Sequence, residues 1–148
     1  MRSTLVVVGT ACLAVLALPA TATAATEISP ATTLADGGIV CGGRIVGTAI
    51  EGPSDYGPAK TVAVFLRGEF QGVDSGSAAV DCQVNTTVNW TNNTTGATGT
   101  LTQVVEGKAG GAYTNPTKYE LPTGSGSVTL TVVTDRPGIS GGANVTVA

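Results

Sequence analysis

Apolar and polar residues alternate one for one along several stretches of this chain, the signature of strands with one buried and one wet face. The longest such stretch runs from Ala78 to Trp90. Ala78, Val80, Cys82, Val84, Val88 and Trp90 share one side, with only Thr86 polar among them, and Asp81, Gln83, Asn85, Thr87 and Asn89 take the other. From Thr61 to Gln71 the pattern repeats, with Val62, Val64, Leu66 and Phe70 inward and Phe65 the exception on the polar side. Val128, Leu130 and Val132 alternate with Ser127, Thr129 and Thr131, and Val145 and Val147 resume the pattern after the loop Asp135–Gly142, which predicts a hairpin with a long turn. Thr100–Glu106 and Thr117–Leu121 are shorter strands, and Ile39–Ile50 is a strand whose Gly42-Gly43 pair predicts a bulge. No 3.6-residue period is sustained outside the N-terminal segment, so helix is not expected.

Short strands separated by Gly, Pro, Asn and Ser turns predict an all-β domain. The expected form is an antiparallel two-sheet sandwich of about seven strands, immunoglobulin-like in architecture only, with a small β-barrel as the alternative. The immunoglobulin pattern of a Trp between bridged cysteines is missing, because Trp90 follows both Cys41 and Cys82. Residues 39–148 form the expected domain, and residues 25–38 read as a flexible arm or an edge strand.

The first 24 residues change the picture, because Arg2, the apolar run Leu5–Leu18 and the small residues after Pro19 have the layout of a secretory signal peptide. Cleavage is expected near Ala24, after one of two Ala-x-Ala patterns. The apolar run is too short for a spanning helix, and Cys12 lies too early within it for a lipid-attachment signal. Leu121-Pro-Thr-Gly124 lacks a residue of a sortase signal and reads as a turn. Loss of the leader removes Arg2, leaving six basic and ten acidic residues, a net charge of −4. A mildly acidic chain with no basic block is not a nucleic-acid binder by charge, and no second apolar stretch is long enough to span a membrane. The expected location is secreted, extracellular or cell-envelope associated.

Export also decides the cysteines. Cys41 and Cys82 remain after cleavage and would meet an oxidising compartment, so a disulfide between them is expected. Cys82 falls on the apolar side of its strand, which points its sulfur into the core.

Catalytic chemistry is hard to assemble from what is left. The chain has no histidine, which removes Ser-His-Asp and Cys-His catalysis and most catalytic zinc sites. Glu69, Asp74, Asp81, Glu106 and Glu120 could in principle supply paired carboxylates for glycoside hydrolysis. Three of them, Glu69, Asp81 and Glu106, occupy outward strand positions where solvated charge is the ordinary explanation. Neither a calcium loop nor a phosphate-cradling loop is found, and no cofactor is expected. Asn85, Asn89, Asn92, Asn93 and Asn144 fit the N-x-S/T pattern, and few or none are expected to be modified. Trp90 ends an inward row and reads as a core plug rather than a ligand platform. Tyr56, Tyr113 and Tyr119 lie in or beside Gly- and Pro-rich loops, where a ring can contact sugar or protein or else anchor the loop.

The leader, the Ala/Gly/Thr/Val-rich strands and the segment Val88-Asn-Trp-Thr-Asn-Asn-Thr-Thr-Gly-Ala-Thr-Gly-Thr100 resemble small exported actinobacterial β-sandwich proteins of unassigned function. In size, acidity and composition the chain is also similar to the chromoprotein carriers related to neocarzinostatin, although those have two short-range disulfides where this chain offers one long-range pair. The resulting expectation is a non-enzymatic exported or envelope module that uses loops or a sheet edge to contact a protein or polysaccharide of the envelope or exterior. A small-molecule carrier with an apolar cleft and a carboxylate hydrolase are the alternatives.

Overall fold

The computed structural model describes residues 25–37, 41–72, 80–110 and 114–148. The proposed leader, residues 1–24, lies outside them, as do Asp74 and Tyr113. Nine strands follow in chain order: β1 (Ala25–Ala35), β2 (Cys41–Glu51), β3 (Val62–Gly72), β4 (Val80–Asn92), β5 (Thr98–Ala109), β6 (Thr117–Leu121), β7 (Gly126–Thr134), β8 (Gly138–Ile139) and β9 (Gly141–Val147). All pairings are antiparallel.

They form one sheet in the order β5-β4-β7-β9-β1-β2-β3-β6, with β8 paired to β1. The expectation of two separate sheets is therefore not confirmed. The sheet curls until its ends nearly meet, and this fits the small barrel. Two joints explain why the pattern of strands alone did not reveal it. Between β9 and β1 a single residue pair, Ser29 with Gly142, carries the sheet across. The Ser29 hydroxyl donates to Gly142 O at 2.8 Å and accepts from Gly142 N at 2.9 Å.

The other joint, between β5 and the β6 end, is made by side chains. Thr117 Oγ1 donates to Val104 O (3.1 Å), Thr114 Oγ1 to Glu106 O (2.9 Å), and Gln103 Nε2 to Lys118 O (2.9 Å). These bonds occupy backbone acceptors that a sheet edge would otherwise leave open. Nearby, β5 crosses close to β3 at Gly107, where a Cβ would lie 2.6 Å from the Phe70 ring and 2.8 Å from Gly68 O. Only glycine permits that approach.

Residues 25–38, expected as a flexible arm or edge strand, are corrected. Over residues 25–35 they form β1, an interior strand paired to β2 on one side and to β8 and β9 on the other. Its Ile28, Ala31 and Thr33 are buried, but Ser29-Pro30 interrupts the alternation, which hid the strand from a period-2 reading. The bulge expected at Gly42-Gly43 is absent, since β2 pairs with β3 without interruption from Cys41 to Glu51. The bulge lies instead in β1, between Ile28 and Ala31, where Pro30 has no N–H to give to a ladder.

The inward side chains form one cluster drawn from both halves of the sheet, including Ile45, Leu66, Val84, Val88, Val105, Tyr119, Leu121, Leu130 and Val132. β2 and β4 stand four places apart in the eight-strand order, so they face each other across this core. Cys41 and Cys82 join them in a disulfide, both nearly inaccessible and with Cα atoms 5.9 Å apart. Just beyond it, Asp36 and Gln83 exchange backbone hydrogen bonds of 2.8 Å each. Every buried side-chain polar atom among the described residues has a hydrogen-bond partner.

Candidate functional site

The bulge that interrupts β1 also helps to build a concavity on the outer surface. With Ser29 turned toward β9, Pro30 is left exposed and forms one wall of a groove of about 690 Å³. Thr114 and Pro116, on the connection from β5 to β6, form the other. The floor consists of outward residues of β2 and β3 brought opposite one another by register. Thr48 lies beside Phe65, Val46 beside Arg67, and Arg44 beside Glu69.

Phe65 accounts for its own break in the alternation. It is a half-buried ring on the outer face, partly covered by Tyr56, whose ring meets it edge-on with centroids 5.1 Å apart and planes at 78°. Tyr56 is held by the 52–60 loop, where Ser54 and Gly57 exchange backbone hydrogen bonds and Ser54 Oγ accepts from Tyr56 N at 3.2 Å. The remaining side of the Phe65 ring faces the groove.

Charge is concentrated at one end of this floor. Glu69 Oε2 accepts from Arg44 Nε at 2.8 Å and Glu69 Oε1 from Arg67 Nη2 at 3.1 Å. The Arg44 hydrogen bond first, and the Arg67 one second, hold the Glu69 carboxyl below its ordinary value near 4.5. Glu27 lies opposite Thr48 on the β1 side. The groove thus offers a floor with Val46 and Phe65 toward one end and the Arg44–Glu69–Arg67 charges at the other, an arrangement suited to binding a chain with both apolar and polar groups.

A second concavity, of about 520 Å³, lies over the disulfide at the start of β4 and gathers Asp36, Asp81, Glu106 and Lys108. Lys108 Nζ pairs with Asp81 at 2.7 Å, and Arg136 pairs with Asp36. Of the carboxylates considered for hydrolysis, Asp81 and Glu106 share this cleft. Glu69 belongs to the groove instead, and Glu120 pairs with Lys118 on β6. Among the described residues no group of three His, Cys, Asp or Glu side chains is placed to hold a metal ion.

The aromatic candidates separate cleanly. Trp90 is 8 % exposed within the core cluster. Tyr119, considered as a ring in or beside a loop that could contact a ligand, is corrected: on β6, the strand expected over Thr117–Leu121, it is fully buried, with its hydroxyl donating to Thr86 O at 3.0 Å. Burial pushes that hydroxyl well above the ordinary tyrosine range. Tyr56 alone of the described tyrosines is exposed, and it borders the groove through Phe65. Sequence reasoning missed Arg44, Phe65 and Arg67 as a group, although the misplaced Phe65 was a signal of an outward aromatic. No family model, curated protein or solved structure matches this chain.

Proposed function

We propose that the mature chain is an exported, non-enzymatic binding module that receives an extended segment of an exterior polypeptide in the groove over β2 and β3. The observation that carries this reading is the floor of Val46, Thr48 and Phe65 set beside the Arg44–Glu69–Arg67 ion pairs on a rigid sheet. From β1 to the β6 side there are three strand steps, about 14 Å at the usual inter-strand spacing, which accommodates roughly four extended residues. Phe65 supplies an aromatic anchor of the type that dominates binding energy at interfaces, and the charged rim supplies orientation.

The core cluster fills the space between the halves of the sheet in which a small-molecule carrier would hold its cargo, and this favours binding on the outside. Absence of histidine and the pairing of Asp36, Asp81, Glu69 and Glu120 with cations support a non-catalytic role. The Cys41–Cys82 disulfide is consistent with an oxidising, extracellular location and so with cleavage of residues 1–24.

The experiment is capture of secreted proteins by the exported chain, repeated with Phe65→Ala and Arg67→Glu. A partner retained by the native protein and lost by both variants, with melting temperatures preserved, supports the groove. Capture of the same partners by all three proteins refutes it.

A further inference from the structure

The side of the barrel away from the groove has a different chemistry. Residues 82–105, 121–134 and 137–148 are fifty residues without one charged side chain, where the chain-wide charged share of 11 % would place about five. These segments supply most of β4 and β5 and all of β7, β8 and β9. On their outer face the register sets hydroxyls and amides in rows. Thr100, Asn89 and Thr131 lie side by side across β5, β4 and β7, and Thr98, Thr91 and Thr129 form the next row.

Part of this array is already tied together. Thr129 Oγ1 donates to Asn144 Oδ1 at 2.8 Å and accepts from Asn93 Nδ2 at 2.9 Å. Thr87 and Thr102 share a hydroxyl hydrogen bond of 2.7 Å. Between these fixed points Thr100, Asn89, Thr131, Thr98 and Thr91 have no side-chain partner among the described residues. Donors and acceptors therefore stand free on a backbone paired on both sides along the Thr86–Asn92 stretch of β4, at steps of about 4.8 Å across strands and about 6.8 Å along them.

We propose that this outer face of β5, β4 and β7 binds a neutral polysaccharide chain. A polyhydroxylated, uncharged polymer matches the face in two respects: it exchanges hydrogen bonds with Thr hydroxyls and an Asn amide in either direction, and it requires no counter-charge. A charged partner would leave its charges unpaired against such a surface. Strand twist of about 20–25° per step turns the three strands from β5 to β7 through roughly 40–50°, so the face follows a single flexible chain rather than a flat crystal plane. Each bond is weak, and affinity comes from several sugars engaged at once.

The test is electrophoresis of the exported protein through native gels containing hydroxyethylcellulose, glucomannan or starch, with polygalacturonate as the charged comparison. Retardation by at least one neutral polymer, and not by polygalacturonate, is expected. Replacing Asn89 by Ala and Thr100 and Thr131 by Val removes the polar groups of one row, and should weaken that retardation about tenfold or more if three hydrogen bonds contribute. Thr32→Val makes the same chemical change at an exposed site on β1 and should leave binding unchanged. Mobility unaffected by every neutral polymer overturns the proposal, as does undiminished binding by the row variant at native melting temperature.

Discussion

Replacing Asn92 by Asp changes one NH₂ to an oxygen and should cost this domain a large share of its stability. Asn92 ends β4 with its side chain fully buried. Its Nδ2 donates to Thr123 O and Ser125 O, both at 2.9 Å, and its Oδ1 accepts from Thr94 N and Thr95 N, both at 3.0 Å. One amide thus fixes the turn after β4 to the loop that leads into β7. Aspartate keeps the two accepted bonds but turns a carboxylate oxygen toward two carbonyl oxygens. Leaving two such acceptors without donors costs about 1–3 kcal/mol each, less for the partly exposed Ser125 carbonyl, so roughly 3–4 kcal/mol is expected at pH 7. Against a typical net stability of about 5–15 kcal/mol this is severe, and it corresponds to a melting-temperature drop of roughly 10–20 °C. The effect should depend on pH. A buried carboxyl facing two acceptors has its folded pKa raised above the unfolded value of about 3.9. The protonated acid can donate one hydrogen bond, so the deficit is smallest below about pH 3.9, grows as pH rises toward the folded pKa, and is constant above it. Urea unfolding of native and variant proteins from pH 3.5 to 8 measures this directly, with m values unchanged. A deficit below about 1 kcal/mol at pH 7, or one that does not vary with pH, would refute the hydrogen-bond account.

Three further outcomes are expected. Replacing Cys82 by Ala releases a closed loop of about 42 residues and removes core volume, and should lower stability by roughly 2–5 kcal/mol, read by urea unfolding; the unsubstituted exported protein, titrated under denaturing, non-reducing conditions, should show no free thiol. Because its two arginines lower the folded pKa of Glu69, its contribution is present above the unfolded pKa and is lost as pH falls through the folded one; Glu69→Gln should therefore cost well under about 1 kcal/mol at pH 7 and progressively less as the pH falls through the folded pKa, a trend that acid titration of melting temperature reads and that a pH-independent loss would contradict. Combining Thr114→Val with Thr117→Val frees the Val104 and Glu106 carbonyls on β5, and sedimentation should reveal concentration-dependent self-association through this edge, where a strictly monomeric variant would show that the hydroxyls do not protect it.

Much of the strand content was written in alternation, because a half-buried strand must place apolar residues at every second position. Val84, Val88, Leu130 and Val132 were assigned inward on that ground and are buried. Cys82 lay in the same row, and export chemistry then paired it with Cys41. What the alternation could not contain was the way the strands close. β1 was hidden because its bulge at Ser29-Pro30 breaks the period, and the bulge makes sense only once Gly142 is there to receive Ser29. The seam between β5 and β6 depends on Thr114, Thr117 and Gln103, polar residues that look like ordinary outward positions until the sheet brings its two ends together. Tyr119 likewise sits in sequence on a short strand beside Gly- and Pro-rich loops, with nothing local to say that its ring is enclosed, and becomes a core residue because β6 pairs with β3 and Thr86 offers a carbonyl across the interior. The groove follows the same rule: Arg44, Phe65 and Glu69 come from two strands, and only their pairing in register, with Pro30 displaced beside them, makes them neighbours. Local pattern fixes which face of a strand is buried, whereas the partners of a strand are set by long-range closure, a free energy shared among residues distant in the chain and absent from any one segment.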